Sequence, residues 1–209
     1  MSGIMMVLLA DSGGFSPVTQ SFTTAGTFAD QAVPTGATTA VIEVFGASGD
    51  GGSSNGAGGC NFREGGGGGS GAYSKTTFNV SALNGKTFNI VVAARNTATN
   101  TTVSVGTTNP VTGFTQMVAP FGGNGGNATA APNAFGGPGA AGSIATGGVD
   151  LNQTGNAGLG GGNPCTPGAG GAGKTGTNAN GGQGGQGGTD VANTTRTNGV
   201  AGKVNIRYT

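Results

Sequence analysis

Alternating apolar and polar residues predict a β-strand at the C-terminal end of the chain. Over residues 200–209 the side chains alternate with a period of two, as in a strand that is buried on one face. One face carries Val200, Gly202, Val204, Ile206 and Tyr208, and the other carries Lys203, Asn205 and Arg207. We expect this strand to return to the sheet that the first strands of the chain form.

Further strand patterns lie in the first half of the sequence. Residues 39–45 (TAVIEVF) are apolar at odd and even positions alike except at Glu43, which indicates a buried strand. Residues 18–28 consist of strand-type side chains with a break at Gly26. Two more short strands are predicted at residues 101–105 and 114–119.

A hairpin is predicted around Asn84 and Gly85, which stand between the strand-like runs 72–80 and 86–92. Asn-Gly is a strong hairpin signal, because both residues tolerate the positive φ that a two-residue hairpin turn requires. In the second run, strand alternation puts three apolar side chains on one face, namely Phe88, Ile90 and Val92.

Glycine replaces these patterns over residues 122–188, where 26 of 67 residues are glycine. A period of three appears among them, at Gly170, Gly173 and Gly176, at Gly181, Gly184 and Gly187, and at Gly182, Gly185 and Gly188. Three residues per turn is the repeat of the polyproline-II helix, which has no internal hydrogen bonds. Its backbone groups must therefore pair with neighbouring chains, and glycine permits two backbones to meet closely. We predict packed helices of this kind.

The predicted fold is all-β, with essentially no α-helix. It is a small, jelly-roll-like β-sandwich with long glycine-rich insertions that form packed polyglycine-II or polyproline-II-like helices. Its predicted parts are an N-terminal arm at residues 1–17, a sandwich at residues 18–121 plus 198–209, and a glycine-rich bundle at residues 122–197. Residues 46–71, with five consecutive glycines at 65–69, are a first glycine-rich excursion.

Composition narrows the classes of function. Only 7% of the 209 residues are charged and the net charge is +1, so no basic surface for nucleic acid is expected. The apolar residues 3–10 (GIMMVLLA) are too short to span a bilayer, which takes about 20 residues. We expect no membrane insertion. We interpret these residues as an apolar arm that packs on its own domain or on a neighbouring subunit, and we assign the arm to docking on a partner chain. The two cysteines, Cys60 and Cys165, leave the question of a disulfide open.

The sequence offers little material for catalysis. Without histidine, neither a Ser-His-Asp triad nor a histidine-based metal site can form. The seven acidic residues are never closer than seven positions, so no carboxylate pair is indicated. We expect no enzyme, no catalytic residue, no cofactor and no metal site, and the sequence assigns no binding residue. Asp50 beside Gly51-Gly52 suggests either a calcium loop or, more often, a turn former.

Three spots within the glycine-rich tracts carry larger side chains. Arg63 and Glu64 form either a contact site or a loop held by one ion pair, and we favour the ion pair. Phe121 and Phe135 are either exposed contacts for a glycan or protein receptor, or anchors between the bundle and the sandwich, and we favour the anchors.

The order of these pieces resembles the glycine-rich domains of bacteriophage tail fibres and other virion proteins. The resemblance spans residues 21–209 and rests on FTTAGTF at 22–28, VPTG at 33–36, VIEVFG at 41–46, GGGGGSG at 65–71 followed by AYSK at 72–75, and GKVNIRY at 202–208. It implies a β-sandwich joined to packed glycine helices that serves as a fibre, tip or decoration module.

From this resemblance we expect a virion structural protein, made in the host bacterial cytoplasm and located on the tail or capsid surface. Its arm would bind other virion proteins, the chain would form homo-oligomers, and loops at residues 128–135, 163–167 and 174–180 would be free to contact a host glycan or protein. The alternatives are a capsid decoration or minor capsid protein of the same fold, and a secreted ice-binding protein.

Overall fold

The computed structural model of the chain describes residues 15–53, 65–128, 136–161 and 197–209. Within these ranges the protein is all-β, because its strands form two antiparallel sheets and no helix occurs. The predicted all-β class is confirmed. Several predictions lie outside the described residues, namely those on residues 1–14 of the arm, on Cys60 and Cys165, on Arg63 and Glu64, on Phe135, on residues 129–135 and the loops 163–167 and 174–180, and on the glycine triplets at 170–188.

The strands of the described ranges are β1 (Val18–Phe22), β2 (Gly26–Ala32), β3 (Thr39–Phe45), β4 (Tyr73–Asn79), β5 (Thr87–Val92), β6 (Thr101–Val105), β7 (Met117–Ala119), β8 (Leu151–Gln153) and β9 (Lys203–Tyr208). The larger sheet has the spatial order β1-β9-β3-β4-β8, and the smaller sheet has the order β2-β5-β6-β7. We call the two sheets together the two-sheet body. The buried strand predicted at residues 39–45 is confirmed as β3, in the middle of the larger sheet.

The core of the two-sheet body consists of apolar side chains from both sheets. Alternate residues supply them, as the period of a strand requires. The larger sheet contributes Ala40, Ile42, Val44, Val204, Ile206 and Tyr208, and the smaller sheet contributes Phe88, Ile90, Val92, Val103 and Met117. The shared face predicted for Phe88, Ile90 and Val92 is therefore confirmed.

The C-terminal strand returns to the first sheet as predicted, because β9 lies between β1 and β3. Val204, Ile206 and Tyr208 are fully buried. The prediction is wrong for Val200, which is 47% exposed. The strand begins only at Lys203. The Val200 carbonyl instead accepts from the Ser48 N–H, and the Val200 N–H donates to the Ser48 hydroxyl oxygen.

The predicted hairpin at Asn84-Gly85 is wrong, since β4 and β5 belong to different sheets. The turn itself exists, because the Lys86 N–H donates to the Leu83 carbonyl at 2.9 Å. Gly85 has a φ of 69°, but Asn84 does not have positive φ. A two-residue hairpin of the common type needs positive φ at both central residues, so this turn instead carries the chain from one sheet to the other.

Two predicted strands have different bounds in the structure, and one strand is not predicted. The break near Gly26 lies at residues 23–25, and Gly26 itself begins β2. The strand predicted at 114–119 is only Met117–Ala119. β8 was not predicted, because three residues are too few to show a periodicity.

Six glycine-rich segments extend from the two-sheet body, and we call them the glycine-rich layer. They are residues 46–53, 65–72, 120–128, 136–142, 155–161 and 197–202. Five of them continue directly from or into β3, β4, β7, β8 and β9.

All five of these junctions lie at one end of the two-sheet body. Strand register places Phe45 opposite both Tyr73 and Lys203 at that end. The other end holds Thr39, which is opposite Asn79. Thr39 also exchanges hydrogen bonds with Thr209 at this end. Phe15, the first described residue, lies there too, because its ring packs against Gly36. The chain therefore enters at the end opposite the glycine-rich layer.

Candidate functional site

The glycine-rich layer is held together by backbone hydrogen bonds that recur every three residues. Gly49 and Gly52 donate to the carbonyls of Gly69 and Gly66, at 3.0 and 2.8 Å. From the other side, Gly66 and Gly69 donate to Gly126 and Gly123, at 3.0 and 2.8 Å. Successive hydrogen bonds between two segments are three residues apart on both of them, so the register of each pair of segments is constant.

Segment 65–72, which we call the central segment, hydrogen-bonds to four other segments. Two are segments 46–53 and 120–128, through the bonds just described. The third is segment 136–142, whose Gly139 donates to Gly67, and the fourth is segment 155–161, whose Leu159 accepts from Gly67. A strand in a sheet has at most two hydrogen-bonded neighbours, one on each edge. The layer is therefore not a β-sheet.

Close approach of two backbones, and not positive φ, requires glycine at many positions of the layer. A Cβ built on Gly52 would lie 1.9 Å from the Gly126 carbonyl oxygen, and one on Gly125 would lie 1.9 Å from that of Gly66. A Cβ on Gly69 would lie 1.9 Å from the Ala140 oxygen. None of these glycines has positive φ. Any side chain at such a position would push two backbones apart.

Glycine density follows the number of neighbours that a segment has. The central segment is surrounded, and all five of its consecutive glycines at 65–69 are buried. In segment 120–128, pairs of glycines alternate with Asn124 and Asn127, whose side chains are exposed. In segment 155–161, Gly155 and Gly158 face the central segment, since a Cβ built on either would lie 2.0 Å from one of its carbonyl oxygens. The run of five glycines thus marks the middle of the layer.

Asp50 joins the layer to the two-sheet body. Its Oδ1 accepts from the Arg95 guanidinium at 3.0 Å and from the Gly199 N–H at 2.8 Å. The Asp50 side chain is 5% exposed, whereas Arg95 is 45% exposed. Asp50 is not in a turn, and its carboxylate accepts from two other segments of the chain. The described ranges hold no cluster of three or more metal-ligating side chains, and the calcium-loop interpretation stays a prediction.

An open cleft of about 170 Å³ lies where the loop between β5 and β6 meets segment 120–128. It is lined by Asn96, Thr97, Ala98, Phe121, Gly122, Gly123 and Asn124. Phe121, one of the two aromatic residues singled out in the sequence, is half-buried in its wall. No sequence signal points to Asn96 or Asn124, because single asparagines in polar loops are common turn residues.

The polar groups of the cleft are held in place. The Asn124 side chain donates through Nδ2 to Asn96 Oδ1, and its own Oδ1 accepts from the Asp50 N–H at 2.9 Å. Asn96 has a φ of 57°, a left-handed conformation that asparagine tolerates better than most residues. None of the described residues that line the cleft has an ionisable side chain.

The buried acidic residue of β3 is structural. The Tyr73 hydroxyl donates to Glu43 Oε1 at 2.7 Å, and both side chains are buried. Burial, then the hydrogen bond to Glu43 and its charge, raise the pKa of Tyr73 above its ordinary value. Tyr73 stacks on Phe45, with ring centroids 4.7 Å apart. The pair fixes β3 to β4 at the junction with the layer.

Exposed apolar side chains concentrate around β8, at the edge of the larger sheet. Of the seven large hydrophobic residues exposed among the described residues, four belong to residues 144–159. They are Ile144, Val149, Leu151 and Leu159, exposed by 59%, 82%, 40% and 63%. A short edge strand with apolar neighbours is a surface at which two chains can associate.

Comparison with known proteins adds no family. No protein-family model matches the chain, and none of the curated proteins matches it. Among the described residues, no helix is long and apolar enough to cross a membrane.

Proposed function

We propose that this chain is a bacteriophage virion structural protein, a glycine-rich fibre, tip or surface-appendage module that acts by assembly and surface contact. The observation that carries the proposal is the glycine-rich layer itself, in which a central segment bonds to four others. Such a layer gives a rigid end without a large hydrophobic core. A protein that works by shape and contact needs that rigidity.

In this proposal the two-sheet body is a jelly-roll-like β-sandwich and the six segments are packed polyglycine-II helices. The three-residue step of the hydrogen bonds supports that interpretation, because it equals the repeat of such a helix. The absence of positive φ from the glycines of the described segments supports it too. Four neighbours around one segment are compatible with packed helices of threefold repeat and incompatible with a sheet.

The two ends of the molecule would have different tasks. Residues 1–14 precede Phe15, so the predicted arm is attached at the end opposite the layer. An arm that binds another virion protein from there would leave the glycine-rich end free to face outwards. Loops on a rigid scaffold can vary without disturbing it, which suits recognition of a host glycan or protein.

The apolar surface around β8 supports the homo-oligomer that we propose. Val149 is 82% exposed, and the neighbouring β8 is an edge strand of the larger sheet. Pairing with a second copy would cover both features. The side position of this surface leaves the glycine-rich end and the arm end accessible.

Immunogold electron microscopy on particles from the source, with antibody against this chain, tests the proposal. Label on the tail or on fibre ends is the expected result. Label scattered over the head would replace the tip role by capsid decoration. Particles without label would refute the virion function and make a freezing-hysteresis assay the next measurement, since the ice-binding alternative would then come first.

A further inference from the structure

The cleft between the β5–β6 loop and segment 120–128 has the composition of a small-ligand site. Its wall combines one half-buried aromatic ring, Phe121, with the amides of Asn96 and Asn124 and the hydroxyl of Thr97. Ligand sites typically join apolar surface with a few polar groups that fix orientation. An aromatic ring and two amides next to each other provide that combination.

We propose that this cleft binds one residue of a neutral sugar. The C–H face of a pyranose ring packs on an aromatic ring such as Phe121, and its hydroxyls both donate to and accept from amides. The described residues that line the cleft have no ionisable side chain, and the nearby Arg95 is paired with Asp50. Among these residues a phosphate or carboxylate ligand would find no free cation, whereas an uncharged ligand needs none.

The cleft is pre-organised, which favours binding of a small ligand. Both hydrogen-bonding ends of the Asn124 amide are occupied, by Asn96 and by the Asp50 backbone. The floor is backbone of the glycine-rich layer, where Gly122 and Gly123 donate to Ala47 and Ala140 at 2.9 and 2.8 Å. The Asn96 Nδ2 group donates to no described residue and is available to a sugar hydroxyl.

The position of the cleft agrees with this role. It lies at the glycine-rich end, which the proposed function directs outwards. The inference thus deepens that function, because it gives surface contact a ligand class, and its biological meaning rests on the virion proposal. The binding itself can be measured on the isolated chain and does not depend on where the protein is located.

Saturation-transfer NMR on the full chain tests the inference, with methyl glycosides of glucose, galactose, mannose and N-acetylglucosamine as probes. We expect a signal from at least one probe at millimolar concentration. Ala98→Phe fills the cleft from an exposed loop and removes no buried contact, so it should weaken binding roughly tenfold or more. Phe121→Ala should do the same, and Val149→Ala, far from the cleft in sequence and highly exposed, should leave binding unchanged.

Three results would overturn the inference. They are the absence of signal from every sugar, a signal that Ala98→Phe leaves intact, and a response only to a tyrosine-containing tripeptide, which would indicate a protein ligand instead. The two proposals fail separately. Sugar binding without immunogold label would refute the virion function alone, and label without sugar binding would refute the cleft assignment alone.

Discussion

Replacing Gly69 by alanine should destabilise the protein by forcing two segments of the glycine-rich layer apart. The new Cβ would lie 1.9 Å from the Ala140 carbonyl oxygen, whereas real Cβ atoms stay beyond 3.0 Å. The central segment and segment 136–142 must therefore separate by about 1 Å. That movement stretches the bonds from Gly69 to Gly123 and from Gly49 to Gly69, now 2.8 and 3.0 Å.

The expected loss follows from two contributions. Overpacking of a close-packed site costs about 1–3 kcal/mol. One or two weakened backbone hydrogen bonds add about 1 kcal/mol each. Gly69→Ala should therefore lower the free energy of unfolding by about 2–5 kcal/mol, or the melting temperature by roughly 5–20 °C for a chain of this size.

The matched control is Gly137→Ala in the neighbouring segment. Gly137 is exposed and a Cβ there meets nothing within 4 Å. Because its φ is not positive, alanine should be neutral or stabilise the protein by up to about 1 kcal/mol. The free energies of unfolding of both variants are measured by urea titration. A value for Gly69→Ala within about 0.5 kcal/mol of the wild type, or an equal loss in both variants, would contradict the close approach.

Three further predictions concern charge, titration and assembly. Asp50→Ala should lower the free energy of unfolding by about 1.5–3 kcal/mol in urea titrations, because a buried N–H loses a charged acceptor; unchanged stability would show that the carboxylate does not hold the layer. Burial raises the pKa values of the only tyrosines, Tyr73 and Tyr208, above the unfolded value of about 10. The free energy of unfolding should therefore keep its full value below pH about 10 and fall as the pH rises further, because the unfolded state loses its phenol protons first. Tyrosinate absorbance should appear together with unfolding, and titration of the folded protein at the ordinary tyrosine pKa would contradict the burial. Val149→Asp should reduce the oligomer in light scattering while Val105→Asp, an exposed valine on β6, should not; a monomeric wild type would refute the proposed interface.

Periodicity in the sequence identified strands well but did not identify their partners. β3 and β9 were predicted because burial on both faces and a period of two are local properties of the residues. The hairpin prediction failed because Asn84-Gly85 specifies a turn and not the sheet that follows it. The partners of β4 are β3 and β8, set by contacts distant in sequence. β8 is too short for any periodic signal.

The glycine spacing from which packed helices are predicted, at residues 170–188, lies outside the described residues. In the described segments, backbone hydrogen bonds recur every three residues. The run of five glycines at 65–69 is evident in the sequence, but the reason for it is not. It depends on four neighbours that come from separate parts of the chain. The sequence did not predict the cleft, because Asn96 and Asn124 meet across a separation of 28 residues and Phe121 was favoured as an anchor between the bundle and the sandwich.

Amide hydrogen exchange at the central segment tests the main claim most directly. The amides of Gly66, Gly67, Gly69 and Ser70 all donate to other segments at 2.8–3.0 Å. If the layer is packed around this segment, they should exchange as slowly as the amides of β3, in the middle of the larger sheet. Exchange at the rate of an unstructured glycine-rich peptide would contradict the account, because it would mean that these backbone bonds do not persist in solution.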